Sequence, residues 1–282
     1  MEKLLAMKKL IFIALVLLFQ TSAYAAIHTE TVEYKDGATL LQGYLAYDDS
    51  FQDPRPGVLI VHEWTGIGPY VERRAREIAG LGYVAFAADI YGKGIRPKNK
   101  QEAAMQAGIY KKDRALLRQR VNAGLLRLEK DPRVDRSRLA AIGYCFGGTT
   151  VLELARSGAD VRGVVSFHGG LDSLAPQDAK NIKAKVLVLH GADDPFSPPK
   201  DVAAFQEELR HAGVDYQIVL YGGAVHAFTN PDTGNDPSTG AAYNATVDKR
   251  SWEAMTRFLR EIFMRRKRGE ESEAWERKCS HC

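Results

Sequence analysis

Short, unbroken apolar runs alternate along this chain with longer stretches whose apolar residues recur every three or four positions. The short runs fall at 57–62, 83–88, 139–143, 161–167, 186–190 and 216–221. Their length and β-branched content predict strands buried on both faces. The longer stretches predict helices at 69–79, opened by Pro69, at 100–128 with a break, at 149–156, at 199–211 and at 248–263. Ahead of them, 27–34 and 38–47 alternate apolar with polar positions across Lys35-Asp36-Gly37, which predicts an antiparallel hairpin. Strands that alternate with crossover helices make an α/β fold, a mostly parallel sheet with helices on both faces.

One junction between strand and helix departs from ordinary turn chemistry. The run 139–142 leads into Gly143-Tyr144-Cys145-Phe146-Gly147-Gly148, and the helical pattern from Thr149 follows at once. This is the G-x-S-x-G nucleophile elbow with cysteine in place of serine. The central residue sits at a strained turn above the strand ends, and the flanking glycines let helix and strand approach without Cβ clashes. A buried cysteine in a glycine-rich turn would give the same six residues, so the rest of the chain has to decide between the two.

An elbow of this kind needs a carboxylate and then a histidine, each past the end of a later strand. The strand at 186–190 runs out into Gly191-Ala192-Asp193-Asp194-Pro195-Phe196, where Asp193 and Asp194 compete for the carboxylate role. The strand at 216–221 runs into Gly222-Gly223-Ala224-Val225-His226, and the glycines allow His226 to fold back over the sheet. Of the seven histidines, His226 is the one at the place that the order Cys, Asp, His requires.

Composition changes this picture little. With 282 residues, 45% hydrophobic and 26% charged, the chain fits one globular domain at 26–264. Residues 1–25 read as a secretory signal, with Lys8 and Lys9 before an apolar run from Leu10 to Phe19, then Ala23-Tyr24-Ala25 as the cleavage site. Export to the periplasm or medium is expected, without stable membrane association, since that run is too short to span a bilayer. Removing residues 1–25 takes away Lys3, Lys8, Lys9 and Glu2, so the formal charge falls from +4 to +2. The basic cluster Arg265-Arg266-Lys267-Arg268 opens a charged tail at 265–282 and reads as a solvated face, so nucleic acid is not expected as a partner. Cys279 and Cys282 in that tail supply too few ligands for a closed metal site and suit a tail disulfide or an unstructured end.

Taken together, Val61-His62-Glu63-Trp64-Thr65-Gly66, Ala88-Asp89-Ile90-Tyr91-Gly92, the Cys145 elbow, Gly191 to Phe196 and His226-Ala227-Phe228-Thr229-Asn230-Pro231 resemble the dienelactone hydrolase family. That family is the cysteine-using branch of the α/β-hydrolases, and the resemblance covers roughly 30–262. It implies an α/β-hydrolase fold with Cys145 as nucleophile, His226 as base and then acid, and Asp194 as the orienting carboxylate. It also implies that Glu63 lies close to the thiol and takes its proton when substrate binds, which spares a permanent thiolate from oxidation. The backbone N–H groups of Trp64 and Phe146 would form the oxyanion hole. The family's dienelactone-cleaving members hold a substrate carboxylate with an arginine after the Asp-x-Tyr, and here Lys93 follows Asp89-Ile90-Tyr91-Gly92. Lys93 is therefore the expected substrate-binding cation, although a lysine lacks the bidentate fork of an arginine.

The expectation is a monomeric ester or lactone hydrolase that works through a Cys145 thioester, needing no metal and no organic cofactor. Two other readings share the fold, a ligand-binding protein without catalysis and a thiol redox sensor at Cys145.

Overall fold

The computed structural model describes residues 26–264, so the signal segment at 1–25 and the tail with Cys279 and Cys282 lie outside the described residues. The strands are β1 Ile27–Asp36, β2 Thr39–Asp48, β3 Arg55–Val61, β4 Val84–Ala88, β5 Val134–Tyr144, β6 Gly163–Phe167, β7 Lys185–Gly191 and β8 Tyr216–Tyr221. The helices are α1 Pro69–Gly80, α2 Lys100–Lys112, α3 Arg114–Glu129, α4 Phe146–Arg156, α5 Pro199–His211 and α6 Ala245–Phe263.

All eight strands join one sheet in the order β1-β2-β4-β3-β5-β6-β7-β8. Only β2 is reversed, pairing antiparallel with β1 on one side and β4 on the other, and every other pairing is parallel. The order reverses at β3, which has β4 on one side and β5 on the other. Ligands of open α/β sheets bind outside the carboxyl ends of the strands at such a switch point. The loop after β3 and the elbow after β5 stand on its two sides.

The period of two along each central strand divides the core between the faces. In β3, Leu59 and Val61 join the cluster packed by Tyr110 of α2, Leu117 and Val121 of α3, Val151 of α4 and Phe205 of α5. Val58 and Ile60 join the other, packed by Val71 and Ile78 of α1 and by Met255 and Phe258 of α6. Helices thus cover both faces, as the doubly buried strands require.

Three boundaries are set by contacts that the apolar pattern does not carry. The break expected within 100–128 falls at Asp113, whose carboxylate accepts from the Leu116 amide and starts α3. Strand β5 begins five residues before the apolar run, because Val134 and Asp135 pair with Arg55 and Pro56 across a register shift. Helix α6 starts at Ala245, capped by Asn244, whose side chain accepts from the Val247 amide. Pairing partners and cap geometry settled these ends, and apolar periodicity carries neither.

Candidate active site

Cys145 stands between β5 and α4 with φ 54° and ψ −114°, a conformation that L-residues rarely adopt. The glycines around it leave no room for side chains. A Cβ on Gly143 would lie 2.0 Å from the Gly147 carbonyl oxygen, and one on Gly147 would lie 2.2 Å from that of Val61. Helix α4 is thereby seated against the ends of β3 and β5, with the cysteine at its N-terminus.

His226 reaches the same place from the loop after β8. Its Nε2 is 3.0 Å from the Cys145 sulfur, and its Nδ1 is 2.8 Å from Oδ2 of Asp194. Of the two aspartates, Asp194 is the one in contact with His226: it is buried and also accepts from the Phe196 amide, whereas Asp193 accepts from the Gly223 amide at the surface and serves the turn. The histidine loop is stapled down on its far side. The His226 amide donates to the Gly240 carbonyl, the Ala242 amide donates to that of His226, and Ala227 takes a positive φ of 56°. Burial works against a charge on His226 but is outweighed by the Cys145 sulfur and the Asp194 carboxylate, so its pKa is pushed up to about 10.

Three other histidines at strand ends behave in the opposite way. His62 after β3, His168 after β6 and His190 in β7 are buried, and burial pushes each pKa down, that of His62 to about 4. Being neutral, they serve as fixed hydrogen-bonding pieces. Nδ1 of His168 accepts from the Cys145 amide at 3.1 Å while Nε2 meets Thr229 Oγ1 at 2.7 Å, tying the elbow to the histidine loop. His190 Nε2 is 2.9 Å from the Ser197 carbonyl, which pins the loop that carries Asp194. The sequence reading singled out none of the three, and the signal it passed over was a polar ring closing an apolar strand.

Glu63 is buried, but its hydrogen bond does not go to the thiol. Nδ2 of Asn230 donates to its Oε2 at 2.6 Å, while the Cys145 sulfur is bonded to His226. Burial raises the Glu63 carboxyl above its ordinary value, opposed by the Asn230 hydrogen bond and by His226. Asn230 had passed unremarked within the His226 motif, since only the fold brings it to the loop after β3. The Trp64 and Phe146 amides meet no acceptor among the described residues, as befits the first residue of a helix in the case of Phe146.

Lys93, expected as the substrate-binding cation, stands in an ion pair at the edge of the sheet. Its ammonium group pairs with Glu33 on β1, both side chains being exposed, and its amide donates to Leu40 of β2. Gly92, with φ 132°, turns the chain toward that sheet edge, and buried Asp89 fixes the turn by accepting from the Tyr91 and Gly92 amides. The arginine of this loop that packs near Gly66 is Arg96, which donates to the Ile95 carbonyl and lies 3.8 Å from Asp89.

The family model for the dienelactone hydrolases matches residues 41–263. The chain belongs to the dienelactone hydrolase family. A solved structure titled m3DLH is 40% identical with a TM-score of 0.82, covering 85% of this chain and all of that one. A dienelactone hydrolase-like promiscuous phosphotriesterase from metagenomic libraries is 41% identical with a TM-score of 0.80 over the same shares. Among curated relatives, a Bradyrhizobium protein named "Probable 2-oxo-3-(5-oxofuran-2-ylidene)propanoate lactonase" is 28% identical over 208 residues, 70% of this chain and 84% of that protein. Among the described residues of this family member, no helix is long and apolar enough to cross a membrane, and no group of three or more His, Cys, Asp or Glu could hold a metal ion.

Proposed function

We propose that this protein hydrolyses small esters or lactones by acyl transfer to Cys145. The observation that carries the reading is the continuous contact from Asp194 through His226 to the Cys145 sulfur, at 2.8 and 3.0 Å. A carboxylate that fixes the tautomer of an imidazole, and an imidazole in contact with a nucleophile, are the parts that acyl transfer needs.

In the first half-reaction the sulfur bonds to the ester carbonyl carbon, and the carbonyl electrons move onto oxygen between the amides of Trp64 and Phe146. Collapse breaks the C–O bond, and His226, which is already protonated in the resting site, gives its Nε2 proton to the departing alkoxide, leaving a thioester and a neutral imidazole. His226 then takes a proton from water, the hydroxide attacks the thioester, and the thiolate leaves. Two fixed amide dipoles stabilise the oxyanion without reorganising. Glu63 takes part by accepting the thiol proton once a substrate displaces it from Asn230 and by returning it to the thiolate after deacylation, a role that its burial-raised basicity suits. Lys93, whose ammonium group pairs with Glu33 at the exposed sheet edge, carries no step of this reaction. The chain is exported and acts as a monomer on a small-molecule substrate. Phosphotriesters join the substrate classes to try because a 41% identical structure carries that activity in its title.

The test is a panel of small esters, lactones and phosphotriesters with mass analysis of the trapped enzyme. The expected result is an acyl adduct on Cys145, none in Cys145→Ala, and acylation slowed about 10² to 10⁴-fold in Glu63→Gln with deacylation nearly untouched. Turnover that survives in Cys145→Ala would refute the reading. A thiol that oxidises readily while no ester is cleaved would favour the redox sensor.

A further inference from the structure

We propose that His62 is a positioning residue that aims the Trp64 amide at the acyl oxygen, an inference that rests on acyl transfer at Cys145. The residue follows the last position of β3 and is fully buried. Its Nε2 accepts from the Ile90 amide at 3.3 Å, which leaves the ring proton on Nδ1. Nδ1 then donates to the Glu63 carbonyl at 2.6 Å. Histidine is suited to this because one rigid ring offers a donor and an acceptor at separate positions.

The Glu63 carbonyl and the Trp64 amide belong to the same peptide plane and point to opposite edges of it, as in any trans peptide. Whatever holds the oxygen therefore sets the direction of the N–H. Two donors hold it, His62 Nδ1 and, from the other side of the turn, the Gly66 amide at 3.1 Å. The next carbonyl, that of Trp64, accepts from the Tyr91 hydroxyl at 2.8 Å, so the plane after it is held too. The amide aimed by this arrangement has no acceptor among the described residues.

The ring also registers this loop against the elbow. It stacks on Phe146 with centroids 5.9 Å apart and planes 18° apart, and Phe146 supplies the other proposed oxyanion donor. The His62 carbonyl oxygen lies only 2.7 Å from the place where a Cβ on Gly147 would be. The two donors are thus built from groups in direct contact, with His62 between them. Burial keeps the ring neutral down to about pH 4, so this bonding pattern holds through the range in which the enzyme would work.

Two substitutions and two reactions separate positioning from mere structure. His62→Phe keeps a ring of similar size but no donor, whereas His62→Asn places an amide nitrogen close to where Nδ1 sits. Iodoacetamide alkylates Cys145 by displacement at a saturated carbon and develops no oxyanion. Acylation by p-nitrophenyl acetate does develop one. In the full chain, His62→Phe is expected to slow the acylation burst by about 10 to 100-fold, because misaiming a donor costs no more than deleting it. KM and the alkylation rate should stay unchanged, and His62→Asn should recover most of the burst. Equal bursts in His62→Phe and wild type would overturn the proposal. So would a joint fall of alkylation and acylation, with His62→Asn no better than His62→Phe. Wild-type protein that alkylates at Cys145 but never acylates would instead overturn the proposed function, and this inference with it.

Discussion

His226 is held between two groups that favour its proton, and this keeps its charge into alkaline solution. The folded pKa of about 10 lies above the ordinary value of 6.5. The charged imidazole therefore contributes stability that is fully present below pH 6.5 and is lost as the pH rises through about 10. Alkylation of Cys145 should persist into alkaline solution and change near pH 10. Asp194→Asn keeps the shape but removes the charge that holds the proton, so the alkaline limb should move to lower pH, and the fall in melting temperature between pH 6.5 and pH 10 should become shallower. Alkylation rates and melting curves across that range check both statements. An unmoved limb would mean that Asp194 does not govern the imidazole. The buried rings of His62, His168 and His190 are shifted in the opposite direction and should add nothing to that limb.

At the scale of elements, the site depends on how closely α4 sits on the ends of β3 and β5. Gly147 is the point of closest approach to β3, since an added Cβ would stand 2.2 Å from the backbone of Val61 and 2.7 Å from the carbonyl oxygen of His62. Neither contact is the end of a flexible side chain, so helix and strand would have to part. Gly147→Ala should cost at least about 1 to 3 kcal/mol, as overpacking does. At this chain length that is a fall in melting temperature of about 2 °C or more. The acylation burst should drop further than the stability loss accounts for, because the shift falls between the two oxyanion donors. A variant with wild-type melting temperature and burst would show that α4 is not seated as described.

On the scale of the whole molecule, the chain crosses from one side of β3 to the other, and this brings distant segments to one crevice. Glu63 meets Asn230 across 167 positions, and Cys145 meets His226 across 81. The sheet that carries them starts with β1 at Ile27, directly after the proposed cleavage site at Ala25. Mass analysis of protein recovered from the periplasm or medium should find a chain that begins at Ala26. A chain that keeps Met1 or Met7 there would refute cleavage at this site.

The sequence by itself determined what depends on local pattern. Runs buried on both faces announced the parallel strands, helical spacing announced the helices between them, and glycines around Cys145 announced the elbow, because each of these requirements is met within about ten neighbouring residues. The order Cys, Asp, His was read by setting three such local patterns one after another along the chain, and the family resemblance added Glu63, Trp64 and Phe146 as expectations. Tertiary structure alone decided where hydrogen bonds between distant segments go. It chose Asp194 over Asp193, gave Glu63 to Asn230 and turned Lys93 toward Glu33. It also placed His62, His168 and His190 as neutral clamps on the loops of the site. A hydrogen bond is set by distances of about 3 Å and by direction, and for residues far apart in sequence only the packed sheet brings the two groups within that reach.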